Sequence, residues 1–464
     1  MLFLGAFWCG ICQRMDESAL SDDENIALIN TCFIPVRVEN AQRPDIDVRY
    51  SQNGWPTIAF LTPQGEHLAS VNYLSAEKFG NALARIHIFY RDRKDELKDA
   101  VARAYEEASR KAAPREVNRA VRAEAVTEIS RLVIDLADRV HGGYGAGNKF
   151  PHPEANEFLL DRYETTRDSR YLDHVLLTLD RMREGRIRDE VEGGFFRYSS
   201  KPDWSEPHRE KLLSDQAGIL GNCLRLFSIT QRPIYGQMAE GIMDYLDTNL
   251  SDRNKAGFYG CQDYLRAGAE SDEFFSVIDD WVYTDANAQT AAAYLQASSV
   301  LGRPDCRERA LRALGFLWER CRESGGGMVH YFDGSPRLSG LLMDQLHMGS
   351  ALLEAYEVSA DAAHLDRAKE LAEYIMGRFK NSDAGYYDLC ISGPALLRFR
   401  LTLVEQNGAA ARFFLKLAET IKEKEYRSAA LWALSAFTED FTPYGIHAAG
   451  FGRALVSYVS SRGR

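Results

Sequence analysis

Cys9 and Cys12 stand three positions apart in the stretch LGAFWCGICQRM, residues 4–15. Two thiols at that spacing admit three uses: a redox pair, half of a zinc site, or two small buried residues. The flanks bear on the choice. Leu2–Phe7 is an apolar run long enough for a buried strand, and a helix-like stretch follows to about Asn30. This order puts Cys9 at a helix N-terminus, where unpaired amides and the macrodipole favour a thiolate. Cys12 lies one turn further on, within reach of Cys9 and shielded, as a resolving thiol must be. A zinc site needs two more ligands at short spacing, and the chain has no second CxxC and no CxxH. Cys9 and Cys12 are therefore the expected catalytic pair, with no metal and no cofactor.

Several elements must hold these sulfurs. CFIPVRV at 32–38 reads as a strand, and after a polar helix-like stretch comes GWPTIAFLTPQGE at 54–66. Pro56 precedes an apolar strand, where it donates no ladder hydrogen bond. A cis Trp55–Pro56 bond would set that loop beside the cysteines, so Trp8, Trp55 and Pro56 are expected to contact a substrate. A hairpin strand (HLASVNYL) and a helix from Ser75 complete a thioredoxin order, strand, CxxC helix, strand, helix, proline, hairpin, helix. The chain begins at the strand before CxxC, so the expectation is either a misplaced start or a sheet without the usual first strand and helix. Phe3 stands six residues before Cys9, where many thioredoxins keep a buried acid, and that proton relay is expected to be absent. Charged helices over 75–113 lead out of this domain, placed at 1–112, and Pro114 ends them.

Beyond it, residues 113–464 change to a 3.6-residue period. Six glycine–aromatic turns punctuate them, beginning at 141, 192, 256, 325, 384 and 443. Helices with one charged face, such as SRYLDHVLLTLDRMREGR from 169, should lie outside; helices poor in charge, such as TDANAQTAAAYLQASSVLG from 284, should be buried. Inner helices are expected near 154, 215, 285, 344, 395 and 448. Six inner and six outer helices make an all-α (α/α)6 toroid whose loops gather at one mouth. The glycines permit tight turns on which Tyr144, Phe195, Phe258 and Tyr386 pack, or from which some of them face the mouth.

If the loops converge, so do their polar residues. WSEPHREKLLSDQ supplies Trp204, Glu206, His208, Glu210, Lys211 and Asp215; Asp263, Asp285 and Asp344 follow in later repeats. Ser214 and Thr284 precede two of the aspartates as possible helix caps. The aspartates either complement helix dipoles or line a polar funnel suited to a carbohydrate-like ligand. Epimerase or glycosidase chemistry would require two carboxylates, or a histidine and a carboxylate, across that cavity. His174 and His364 are expected on solvated outer faces, and His347 in the core. GGYGAGNK is mis-spaced for a phosphate loop, and there is no HExxH or GxSxG.

The totals exclude other classes. The 464 residues carry 56 Lys and Arg against 67 Asp and Glu, a net charge of −11, with no basic stripe for nucleic acid. No run of about 18 apolar residues predicts a membrane span. No basic, apolar leader is visible, and the remaining six cysteines are scattered as reduced thiols are. A cytoplasmic location is the expectation.

WCxxC and WPT look like the thioredoxin superfamily. RPDID (Arg43–Asp47) with GWPTIAFLTPQGE resembles the spermatogenesis-associated thioredoxin-like family, whose members fuse such a domain to a large helical one. GGYGAGNKFPHP, the GGFFRYS…W…PHREK…SDQ series, GCQD and YTDANA are similar to motifs of the same family. Its helical domain resembles six-hairpin glycosidases and the N-acylglucosamine 2-epimerase fold. Gly10-Ile11 replaces the Gly-Pro of thioredoxin, Arg209 stands where relatives tend to have phenylalanine, and Ala286 where many have tryptophan. The resemblance implies a redox CxxC with a protein disulfide as substrate, joined to a domain for a carbohydrate-like or partner ligand. The alternatives are a sugar epimerase, isomerase or glycosidase with a regulatory thioredoxin domain, and a binding scaffold without catalysis.

Overall fold

The structure is a computed structural model that describes residues 1–111, 120–252, 256–266 and 274–462. It divides into two units, Met1–Glu116 with Ile391–Arg400, and Val117–Cys390 with Leu401–Arg464. The domain boundary expected at 112/113 lies outside the described residues. Among those described, no helix is long and apolar enough to cross a membrane.

In the first unit, β1 (Leu2–Gly5), β2 (Val36–Glu39), β3 (Thr57–Leu61) and β4 (His67–Val71) form one sheet in the order β2-β1-β3-β4. β1 runs parallel to β2 (Leu2 opposite Val36) and antiparallel to β3 (Leu2 opposite Ala59). Every residue of β1 is buried, which accounts for its unbroken apolar run. Helices α1 (Gly10–Glu17), α2 (Asp23–Cys32), α3 (Pro44–Tyr50), α4 (Ala76–Asp92) and α5 (Lys94–Lys111) complete the unit. Asn25 fastens α2 to α4: its side-chain amide donates to the carbonyls of Ala19 and Ala76, at 2.9 and 3.0 Å.

Residues 391–400 overturn the inner helix expected near 395. Ala395–Arg398 is a single 3-10 turn, and the inner helix is Val404–Ile421. The apolar residues that suggested a helix are spent on the first unit. Leu396 packs against Leu2, Leu4, Val38, Tyr50 and Ala59. Arg49 donates to the carbonyls of Leu396 (3.3 Å) and Phe399 (2.7 Å), and the Leu396 N–H reaches the Tyr50 hydroxyl at 3.2 Å.

The second unit is a closed double ring. Its inner helices are α7 (Pro153–Thr166), α9 (Leu213–Thr230), α11 (Thr284–Val300), α13 (Leu342–Ser359), α15 (Val404–Ile421) and α17 (Ala449–Arg462). Each packs on the next, and α17 packs back on α7. The outer helices α8 (Ser169–Glu184), α10 (Pro233–Tyr245), α12 (Pro304–Arg320), α14 (Ala362–Arg378) and α16 (Lys424–Leu434) each pack on the inner helix before them. The sixth, α6 (Ala125–Asp135), packs on α17, so the first outer helix serves the last inner one. Small residues let the inner helices approach: a Cβ on Gly408 would lie 2.8 Å from the backbone of Phe451.

One device recurs at the head of four inner helices. A side-chain amide accepts the N–H and donates to the C=O of the residue at the preceding turn. Gln216 holds Phe195 (2.9 and 2.6 Å), Asn287 holds Phe258 (2.7 and 3.0 Å), Gln345 holds Met328 (2.7 and 2.9 Å), and Asn407 holds Tyr386 (2.7 and 3.0 Å). All four amides are buried. Replacing one orphans two buried backbone groups at once. Asn407→Ala is expected to cost about 2–4 kcal/mol and to lower the thermal midpoint of the helical unit, read by circular dichroism; an unchanged midpoint would refute this role.

Candidate functional site

In the first unit, Cys9 caps α1, and its Sγ accepts the Cys12 N–H at 3.1 Å. The two are disulfide-bonded with Cα atoms 5.2 Å apart, and both are buried. The end of β1 passes against the pair: a Cβ on Gly5 would lie 3.6 Å from Cys12 Sγ. The Trp55–Pro56 bond is cis, and the Trp8 and Trp55 rings meet edge-on at 5.2 Å. Trp8 and Trp55 are therefore brought together beside the turn that carries Cys9.

Phe3 is a buried apolar residue, as expected. The acids of this region sit elsewhere. Asp47 accepts the Trp55 indole N–H at 2.8 Å and the Asn40 amide at 3.0 Å. Glu39, at the end of β2, accepts the N–H groups of Phe7 and Gln42, each at 2.9 Å. Burial pushes both carboxyls above their ordinary range, and the proximity of Asp47 adds to the rise at Glu39. Asp47 belongs to the RPDID motif; Glu39 ends a strand and carried no motif to mark it.

In the second unit, the residues expected at the mouth divide into two groups and one exception. The exception is Trp204, which is fully buried; its indole donates to the His141 carbonyl at 2.8 Å and packs on Gly143. It is a structural residue, because the chain turns inward there with a positive φ of 64°. Tyr144, Phe195, Phe258 and Tyr386 are buried as well, packing their turns rather than lining the mouth.

The first group surrounds Arg197, which the sequence reading missed. Glu210 is buried 3.5 Å from its guanidinium, and its carboxyl is pushed up to about 7 by burial, with Asp263 contributing. Burial raises Asp215 to about 6 against the pull of Arg197. Arg197 also lies over the Phe150 and Tyr198 rings, at 5.6 and 5.5 Å. His208 is exposed and stacks on Tyr198 at 4.0 Å, which stacks in turn on Phe150 at 4.7 Å. Glu206 is exposed, and Lys211 is buried against Asp189 at 2.6 Å.

Asp285 and Asp344 form the second group, with His330. His330 Nδ1 lies 3.0 Å from Asp344, whose carboxyl burial raises to about 6. Ser214 and Thr284 cap nothing. The strands Lys211–Leu212 and Val282–Tyr283 run directly into α9 and α11, whose caps are Leu212 and Tyr283. Thr284 donates instead to the Val329 carbonyl.

Inner helices also line a cavity of about 510 Å³. Its ionisable residues are His152, Glu154, His347, Glu405, Arg412 and His447. His447 Nδ1 meets Glu405 at 2.6 Å, a bond that raises the imidazole pKa. His152 is pushed down to about 4 by burial and by His447. Against the effect of burial, Arg412 and Arg453 hold Glu154 at about 2. His347 thus lines a cavity rather than filling the core. His174 and His364, expected in solvent, are buried; outer helices also use their flanks, and His174 meets the Tyr144 ring at 5.1 Å. His152 and His447 sit in the glycine–aromatic loops and could have been read from the PHP and YGIH runs.

Residues 1–109 match the family model of the DsbH-like thioredoxins, described as a protein of unknown function, DUF255. The chain is similar to spermatogenesis-associated protein 20 of rat, 31% identical over 283 residues, 56% of this chain and 36% of the rat protein. The human protein of that name is 30% identical over the same shares. The chain thus spans about a third of the length of these relatives. In three dimensions it is similar to a cellobiose 2-epimerase from Bacillus thermoamylovorans, with TM-score 0.59 and 12% identity over 73% of this chain and all of that one. It is also similar to a D-mannose isomerase (0.57, 12%, 73% and 97%) and to a family 76 α-mannanase from Bacteroides thetaiotaomicron (0.54, 12%, 73% and 96%). At such identities the likeness is one of fold, the six-hairpin ring. In carrying a thioredoxin-like domain with RPDID and GWPT together with such a ring, the chain is similar to the spermatogenesis-associated proteins.

Proposed function

We propose that the chain is a thiol–disulfide oxidoreductase that reduces a protein disulfide at Cys9 and Cys12, and that its helical ring holds a carbohydrate-like ligand. The observation that carries the first part is Cys9 capping α1, with the Cys12 N–H directed at its sulfur. That amide and the helix dipole stabilise a thiolate. In the reduced protein, the Cys9 thiolate attacks one sulfur of the substrate disulfide and the other leaves as thiolate. Cys12, deprotonated, then attacks Cys9 Sγ, forming the Cys9–Cys12 bond and releasing the second substrate thiol. Two electrons pass from the pair to the substrate, and an external dithiol restores the pair. A reducing cytosol suits this cycle.

A second reading, sugar epimerase or isomerase, is favoured by the imidazole–carboxylate pair His447–Glu405 on a cavity that also holds His152 and His347. An imidazole there would take a proton from the carbon beside a sugar carbonyl and return it. The similar folds titled cellobiose 2-epimerase and D-mannose isomerase support it.

Insulin reduction with dithiothreitol as the external dithiol tests the first reading. Cys9→Ser is expected to fall to the uncatalysed rate, and Cys12→Ser to accumulate a mixed disulfide visible on a non-reducing gel; full activity in Cys9→Ser would overturn it. For the second, deuterium incorporation at C2 of mannose or cellobiose in D2O, followed by NMR, is expected from the native chain and lost in His447→Ala. No incorporation by the native chain would refute it.

The mouth makes its own pH prediction. Glu210 is raised from the ordinary carboxylate range to about 7, so the fold favours its protonated form. Its contribution to stability is present below about pH 4.5 and is lost as pH rises to about 7, some ~3 kcal/mol in all. Glu210→Gln is expected to flatten the fall of the thermal midpoint across that window; an unchanged slope would contradict the assignment.

A further inference from the structure

Asp285, His330 and Asp344 come from three separate elements: the first turn of α11, a strand (Val329–Phe332), and the first turn of α13. One ligand atom from each lies within 4.8 Å of the other two. His330 and Asp344 are buried and Asp285 half-buried. We propose that these three side chains bind a first-row divalent cation inside the helical ring.

Charge makes the case first. Two carboxylates and one imidazole converge, yet among the described residues neither Asp285 nor Asp344 is paired with a lysine or arginine. Buried Asp344 has His330 beside it at 3.0 Å, and a divalent ion would compensate both carboxylates at once. Helix dipoles do not account for the cluster. Complementing them takes one carboxylate per N-terminus and does not bring two of them to one point with an imidazole. A second observation lies one turn along α13. His347 Nδ1 is buried with no hydrogen-bond partner, while its ring meets the Asp285 backbone and lines the 510 Å³ cavity. A buried nitrogen without a partner costs free energy unless something occupies its lone pair.

The donor set selects the ion. One imidazole nitrogen with carboxylate oxygens suits Mn2+ or Zn2+, whereas Ca2+ and Mg2+ prefer oxygen alone. Three protein ligands leave positions for water or for a ligand oxygen, the arrangement of an open site. The sequence had no metal spacing to show, because the three residues lie 14 to 59 positions apart and meet only when the ring closes.

Titration of the full chain with Mn2+, followed by loss of the free-ion EPR signal, tests the site. The native chain is expected to bind one ion, displaced by Zn2+. Asp344→Asn and His330→Gln are each expected to weaken binding at least about tenfold, and Asp168→Asn, at an exposed outer turn, to leave it unchanged. Asp285→Asn removes a half-exposed ligand and serves where a buried variant fails to fold; it too should lose affinity. Absence of bound Mn2+ at millimolar ion in the folded native chain, or undiminished binding in Asp285→Asn, would overturn the proposal.

Discussion

The helical unit depends on a repeated hydrogen-bond device. At each of four inner helices one buried amide, Gln216, Asn287, Gln345 or Asn407, holds both polar groups of one backbone residue in the turn before it. Without the amide, those turns would bury peptide groups that no strand or helix satisfies. With it, the turn is pinned to its helix, and the loop that follows the turn is aimed at the mouth. Gly194 and Gly385 show how close the fit is: a Cβ would meet Gln216 Oε1 at 3.0 Å and Asn407 Oδ1 at 2.5 Å. Glycine there serves the amide as well as the left-handed backbone.

A ring also has to close, and here charge assists packing. Arg453 on α17 reaches Glu154, Glu157 and Asp161 on α7, at 3.1, 3.2 and 3.0 Å. Arg225 on α9 takes Glu157, Asp161 and Glu164 from the other side, and Arg412 on α15 takes Glu154 at 2.7 Å. One acidic face of α7 is thus shared by three neighbours, including the last helix of the chain. A network of half-buried pairs is worth more than isolated surface pairs, and its geometry fixes which helix stands beside α7. Glu154 and Arg412 of this network also line the cavity, and their charges act on His347.

Much of this was legible in the chain. WCGIC after an apolar run, GWPT before one, and alternating charged and uncharged helices led to the two folds, and five of the six inner helices lie where the pattern put them. The sixth misled because Ala395–Arg398 is apolar for another core, and periodicity does not say which core a segment serves. The site was harder. Acidic residues drew attention at Asp215, Asp285 and Asp344, yet the neighbours Gln216, Asn287 and Gln345 carry the turns. Neutral amides one or two steps from a charge leave no signal in a hydrophobic pattern. Arg197, His330 and His447 act through partners 13 to 42 residues away, and such separations are set by topology, not by spacing.

The thiol unit illustrates how one constraint can be met at another place. With Phe3 filling the position of the buried acid, the polar requirement beside the cysteine turn falls to Glu39 and Asp47. Neither is a substitute in sequence. Glu39 fixes the loop from below by accepting the Phe7 N–H, two residues before Cys9. Asp47 fixes it from the side by holding the indole of Trp55, which borders Trp8. Both carboxyls lose hydration for this, and hydrogen bonds offset the loss only in part, so burial prevails and their affinity for a proton rises. The turn that carries Cys9 is thus held by two carboxylates of raised proton affinity, one through the Phe7 N–H and the other through the Trp55 indole.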